Sequence, residues 1–288
     1  MSPDAHAPAA LTAESTSRFI TAGDVRLHYH EAGEGPVLLC IHGGAPGAFG
    51  WGNFGQNMPA LSSQYRTLLV DLPGYGLSDK PQVGDGRYLF YAQTFRAMLD
   101  ELGIERAHVL GMATGGGAGI MMSLEYPSLV DRLILVSSVG GMPLVTPSPT
   151  EGIKAIQSYY GGDGPSLERM RDYLGLVVHD QGLVTDTLVR ERYEASIDPD
   201  LVASAPEGHG HVRRPTDEAL WQRLHEITHR TLVVWGRDNR MQGYDNALFM
   251  LNRIPDVEVH LFGRTGLWVP FERAARFEAL LTAFLEAA

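Results

Sequence analysis

The sequence predicts an α/β protein: a mostly parallel, doubly wound sheet with a helical lid inserted into it. Three observations carry this. From about Val25, short β-branched and aliphatic runs alternate with amphipathic stretches, the rhythm of βαβ units. Residues 142–215 break that rhythm, opening on the proline-rich stretch from Pro143 to Pro149 and continuing in helical patterns without a buried-strand run. With 44% hydrophobic and 20% charged residues, a chain of 288 residues can bury roughly three quarters of its unfolded surface.

Residues 1–17 hold Ala, Ser, Thr and Pro but no Lys, Arg or apolar centre, so a flexible tail is expected there and not a signal peptide. Strands are expected at 25–30, 37–41, 67–70, 108–110, 133–136, 231–235 and 257–262. Apolar residues at helical spacing predict helices over 88–102, 116–126, 246–253 and 272–285. Residues 18–141 and 216–288 then form the core and 142–215 the lid. Open α/β sheets bind ligands beyond the carboxyl ends of their strands, the edge that such a lid would cover.

Lys plus Arg minus Asp plus Glu gives 23 − 34 = −11, which argues against a nucleic-acid or anionic-membrane partner and for small molecules. No apolar run reaches the roughly 18 residues of a membrane-spanning helix. The single cysteine, Cys40, excludes an internal disulfide and fits a reducing compartment, so a cytoplasmic protein is expected.

Two motifs suggest chemistry that their context denies. Gly111-Met112-Ala113-Thr114-Gly115-Gly116-Gly117 follows a strand and opens a helix, as a dinucleotide loop does. Four strand candidates precede it, however, and the next strand ends in Ser137 where a ribose-binding acid would be needed. His225-Glu226-Ile227-Thr228-His229 matches a zinc motif that requires a continuous helix, yet His229 lies two residues before the strand at Thr231. His209 and His211 lack a third ligand, and neither a metal nor another cofactor is expected.

The remaining motifs agree with one another. His42-Gly43-Gly44-Ala45-Pro46-Gly47 follows a strand and supplies exposed N–H groups, and Asp71-Leu72-Pro73-Gly74-Tyr75-Gly76-Leu77-Ser78 ends the next strand. The glycine-rich turn at 111–117 then has the spacing of a nucleophile elbow. Through these residues the chain resembles the α/β-hydrolases over nearly its whole length. More narrowly it resembles the meta-cleavage-product hydrolases, which split a carbon–carbon bond in dienols from aromatic ring cleavage. The narrower likeness rests on the His42 to Gly47 run with Trp51 and Asn53, on Trp235-Gly236-Arg237-Asp238, and on Gly266 with Trp268. It implies an oxyanion hole from the N–H groups of Gly44 and Thr114, and Asp238 as the triad acid. It further implies Arg192 on a substrate carboxylate, Asn53 and Trp268 lining the pocket, and a homo-oligomer.

Two departures change the expected chemistry. The elbow's serine position is Ala113, and the histidine expected before Trp268 is Leu267. Met112 also replaces the asparagine usual in this subfamily. A substitution made to trap substrate would explain Ala113 alone. The expected function is therefore a non-hydrolytic conversion of an anionic or enolic oxo compound, aromatic-derived or polyketide-like, by cyclisation, rearrangement, elimination or tautomerisation. The alternatives are an inactive carbon–carbon hydrolase and a binding protein without turnover. Arg192 is expected at the lid's surface or rim, where its loss would cost folding little. Asp238 either faces Leu267 with a raised pKa, ready to carry protons, or is paired by Arg237, Arg240 or turn N–H groups.

Overall fold

A computed structural model describes residues 11–83, 86–204 and 219–287. The expected tail ends in structure: α1 (Ala13–Thr16) carries a reciprocal Thr12–Ser15 capping box. Buried Thr16 lies 3.0 Å from His30 Nδ1, which fastens this turn to the sheet. Residues 1–10 of that tail lie outside the described residues.

Chain order then runs β1 (Ser17–Ala22), β2 (Val25–Ala32), β3 (Val37–Ile41), α2 (Gly50–Phe54), α3 (Met58–Leu61), β4 (Arg66–Val70) and α4 (Arg87–Glu101). It continues with β5 (Ala107–Met112), α5 (Thr114–Glu125) and β6 (Val130–Val136). Helices α6 (Glu151–Ser158), α7 (Leu167–Val177), α8 (Asp186–Ser196) and α9 (Pro199–Ser204) follow before the chain returns to the sheet. It closes with α10 (Leu220–Arg223), β7 (Thr231–Gly236), α11 (Asp245–Leu251), β8 (Val257–Phe262), α12 (Val269–Glu272) and α13 (Ala274–Glu286).

The eight strands lie in the order β1-β2-β4-β3-β5-β6-β7-β8. β1–β2 and β2–β4 pair antiparallel, and every other pair is parallel. Helices on both faces bury both sets of side chains, so the central strands read as unbroken apolar runs. Leu39, Ile41, Val109 and Leu135 pack on the face with α4 and α5, whereas Leu38, Cys40, Leu110 and Val136 join Phe277 and Leu281 of α13. The strand order reverses between β3 and β5, which opens a crevice beyond their carboxyl ends.

Between β6 and β7, α6, α7 and α8 each begin at a capping hydroxyl, Thr150, Ser166 and Thr185 respectively. The Tyr159 hydroxyl, 2.6 Å from Ser196 Oγ, joins the end of α6 to the end of α8. Met170, Tyr173, Leu174 and Val177 on α7 pack into the same apolar cluster as Met112 and Leu267.

Candidate functional site

The crevice is built on a strained turn. Ala113, between β5 and α5, has φ 46° and ψ −113°, a conformation a residue with a Cβ seldom adopts. Its N–H donates to Val136 O at 3.0 Å, and its carbonyl accepts from Gly116 N at 3.0 Å and Val139 N at 3.1 Å. Two glycines permit the turn: a Cβ on Gly111 would lie 2.3 Å from Gly115 O, and one on Gly115 would lie 2.2 Å from Ile41 O.

Facing Ala113 is the loop that follows β3. His42 is fully buried; Nδ1 donates to Gly43 O at 2.7 Å and Nε2 accepts Leu72 N–H at 2.9 Å. Burial lowers its pKa to about 4 against the opposing charge of Asp71, so at neutral pH the ring is uncharged with both nitrogens engaged. It supports the loop and supplies no base. Gly44 sits so close to Thr114 Oγ1 and Tyr75 Oη that a Cβ would come within 2.9 Å of both. The N–H groups of Gly44 and Thr114 find no acceptor among the described residues, and both residues line the cavity.

That cavity, about 410 Å³, lies between the strand ends and the helices of the lid segment. Ala113 and Leu267 face it. Leu267 is held through its backbone, N–H to Val177 O at 2.8 Å and carbonyl to Ser137 Oγ at 3.0 Å. Trp268 Nε1 donates to Asn53 O at 3.0 Å, and Asn53 Nδ2 reaches Met112 Sδ at 3.7 Å. The expected pocket residues Asn53, Met112, Arg192 and Trp268 thus meet along one wall.

Arg192 departs from expectation. It is 4% exposed: Nη1 donates to Gly47 O at 3.0 Å, and Nη2 to Gly52 O at 2.6 Å and Asn53 Oδ1 at 3.0 Å. Its guanidinium carbon lies 4.6 Å from the Trp268 ring centre. The helical pattern of α8 does not show this burial, because the covering atoms come from the loop at 47–53, far away in sequence. Burial lowers its pKa to about 10, only partly offset by Glu191 and the Tyr173 phenol, so it stays charged at neutral pH. Arg192 forms no ion pair among the described residues, and its buried Nε has no hydrogen-bond partner there. Three neutral oxygens and an aromatic face thus surround a buried charge that no described residue neutralises.

Of the two surroundings expected for Asp238, the structure has the paired one and not the desolvated one with a raised pKa. Asp238 is not among the cavity's lining residues. Arg237 Nη2 approaches its Oδ1 at 3.3 Å, Thr265 N–H donates to Oδ2 at 3.3 Å, and His179 Nδ1 stands 3.9 Å away. Partial burial would raise its pKa, but Arg237 and the N–H groups of Thr265 and Arg264 outweigh it and hold the carboxyl below the usual range.

The zinc-like motif falls apart as its spacing suggested. α10 ends at Arg223 and a short tighter turn ends at Glu226, which pairs with Arg223 at 2.9 Å. His229 Nε2 contacts Pro127 O at 2.9 Å. No metal-binding cluster occurs among the described residues, and His209 and His211 lie outside them. Sequence reasoning missed Tyr173 and the segment from Pro143 to Thr150 as cavity walls. No motif marks them; only the path of the lid brings them there.

Residues 36–274 match the family model described as alpha/beta hydrolase fold. The chain is 34% identical to 2-hydroxy-6-oxo-6-phenylhexa-2,4-dienoate hydrolase of Burkholderia cepacia, over 96% of this chain and 98% of that protein. It is 36% identical to 2-hydroxy-6-oxononadienedioate/2-hydroxy-6-oxononatrienedioate hydrolase of Comamonas testosteroni, with the same shares covered. Among solved structures, a serine-to-alanine mutant of a meta-cleavage product hydrolase from Pseudomonas fluorescens IP01, complexed with acetates, superposes with a TM-score of 0.85 at 33% identity. That alignment covers 93% of this chain and 97% of that one.

Proposed function

Because the chain belongs to the α/β-hydrolase fold family, we propose that its cavity is a meta-cleavage-type site that holds an anionic oxo or enol carboxylate without hydrolysing it. One observation carries the reading: the strained elbow turn presents the methyl group of Ala113, and Leu267 shares the cavity with it. Neither side chain can attack a carbonyl or move a proton. In this reading they stand where a nucleophile and its base would act as a unit, so no covalent acyl route exists. Relatives named as dienoate and dienedioate hydrolases supply the ligand class.

The remaining groups have definite chemistry. Arg192 would neutralise the ligand's carboxylate, and the Gly44 and Thr114 N–H groups would receive a carbonyl or enolate oxygen. One such donor is worth about 3 kcal/mol to a developing oxyanion. That donor pair favours a second reading, in which the bound oxo/enol compound is tautomerised, rearranged or cyclised by positioning and fixed dipoles alone. Asp238 would take no direct part in either reading. The relatives' reactions fit a small-molecule enzyme of the cytoplasm, where the lone, buried Cys40 would stay reduced. No helix among the described residues is long and apolar enough to cross a membrane.

The test is a titration of 2-hydroxy-6-oxo-6-phenylhexa-2,4-dienoate, named in the B. cepacia relative, followed by its absorbance and by mass spectrometry of the mixture. Saturable binding with both the absorbance spectrum and the mass of the released compound unchanged supports a holding site. An isomer of equal mass supports the second reading. Absence of binding at millimolar concentration sinks both.

A further inference from the structure

The far wall of the cavity hangs on one carboxylate outside it. Pro143, Thr146, Pro147, Ser148, Pro149 and Thr150, the strap leading into α6, all line the cavity. Asp245, at the start of α11, is 5% exposed and does not line it. Its Oδ2 accepts the N–H groups of Leu144 at 2.8 Å, Val145 at 2.8 Å and Thr146 at 2.9 Å, while Oδ1 accepts Thr146 Oγ1 at 2.7 Å. Four hydrogen bonds thus converge on one side chain, and among the described residues no cation pairs with it. The close approach needs Gly243, where a Cβ would lie 1.9 Å from Thr146 Oγ1 and 2.3 Å from Asp245 Oδ1. A second tie, Thr150 Oγ1 to Met241 O at 2.8 Å, fixes the other end of the strap.

The topology says which part of a ligand this wall meets. Arg192 is bound to the loop after β3, Ala113 follows β5, and Asp245 follows β7. In the order β3-β5-β6-β7 the cation and the strap therefore lie on opposite sides of Ala113. At about 4.8 Å between neighbouring strands, β3 and β7 are roughly 14 Å apart. A ligand whose carboxylate meets Arg192 must point its other end at the strap.

We infer that Asp245 is a positioning residue that sets the size of the group a ligand can carry beyond its reacting carbonyl, by holding the strap from Leu144 to Thr150 as the cavity's far wall. The inference rests on the ligand class proposed above. Its specific content is a split: loosening the strap harms ligands with a bulky tail and spares short ones. A merely structural role would weaken both alike.

The experiment compares wild type, Asp245→Ala and Asp245→Asn. It measures dissociation constants for the phenyl dienoate and for the analogue with methyl in place of phenyl, and amide hydrogen exchange across the strap. Asp245→Ala should weaken the phenyl compound about tenfold and the methyl analogue less than about threefold. It should also expose the amides of residues 144–146 to exchange. Asp245→Asn keeps one acceptor oxygen for the three N–H groups, and Thr146 Oγ1 can turn to accept from the amide, so it should restore both readouts. Equal losses for the two compounds, or unchanged exchange at 144–146, would overturn the inference. If wild type binds neither compound, the ligand class fails. The strap is then judged by exchange alone: loss in Asp245→Ala with rescue in Asp245→Asn upholds the latch, and no loss removes it. Should Asp245→Ala not fold, Thr146→Val deletes only the Oγ1 bond and must give the same ordering on a smaller scale.

Discussion

Arg192 shows how a residue's identity and its surroundings carry different information. Its place in the chain resembled a carboxylate-binding position, yet nothing near it in sequence reported that Gly47, Gly52 and Asn53 would wrap it. Arg192→Ala should therefore cost both binding and folding. Leaving two carbonyls and an amide oxygen unpaired in a buried site should destabilise the protein by about 2 to 5 kcal/mol, measured by urea unfolding. Arg192→Lys should recover little, because an ammonium cannot span three acceptors held in a planar fork. Full stability in Arg192→Ala would show that the cation is dispensable to the fold, and full stability in Arg192→Lys that the planar fork is. Asp238 teaches the converse: its motif and its possible partner Arg237 were legible, but the choice of pairing over desolvation had to be seen. If Ala113 and Leu267 stand at coupled positions, Ala113→Ser with Leu267→His should release benzoate from the phenyl dienoate when neither single change does. A single variant as active as the double would refute that coupling.

At the scale of elements, the strands buried on both faces were the most legible part of the molecule. Residues 37–41 were predicted as observed, and 67–70 and 231–235 fell one residue short at one end, because apolar runs between turn residues have few other solutions. β1 escaped notice because Ser17 to Ala22 is an edge strand with only Ala22 buried, so no apolar run or alternation marks it. The elbow rests on Gly115, and Gly115→Ala should cost several kcal/mol or block folding, since backbone and not a movable side chain fills the space. Wild-type stability in thermal unfolding would contradict the geometry of the turn. The strap has its own pH signature. Burial raises the pKa of Asp245, but the N–H groups of Val145 and Thr146, with the Thr146 hydroxyl and Leu144 N–H, prevail and lower it to about 2. A carboxylate with an unfolded pKa of about 3.9 then lends stability that is complete above that value. It is lost as pH falls through about 2. Acid unfolding of Asp245→Asn should lack this part of the pH dependence, and identical acid profiles for wild type and variant would remove it.

For the whole molecule, the sheet matters less as a shape than as a way to bring the ends of β3, β5 and β7 under one lid. The reversal of strand order between β3 and β5 sets the Gly44 and Thr114 donors beside each other, and the lid segment adds Tyr173 and Arg192 from above. A site assembled from so many segments should be stabilised as one unit by its ligand. The phenyl dienoate at a hundred times its dissociation constant should add about 2.7 kcal/mol to unfolding stability and raise Tm accordingly. An unchanged Tm at that concentration would mean that the compound does not bind the folded protein in preference to the unfolded chain. In the proposed function this site holds an oxo or enol carboxylate and cannot hydrolyse it. The most direct test is an overnight incubation of excess protein with the phenyl dienoate in heavy-oxygen water, followed by mass spectrometry of benzoate. Bound, uncleaved compound and no labelled benzoate above the protein-free control are expected. Stoichiometric benzoate carrying heavy oxygen would contradict the proposed function.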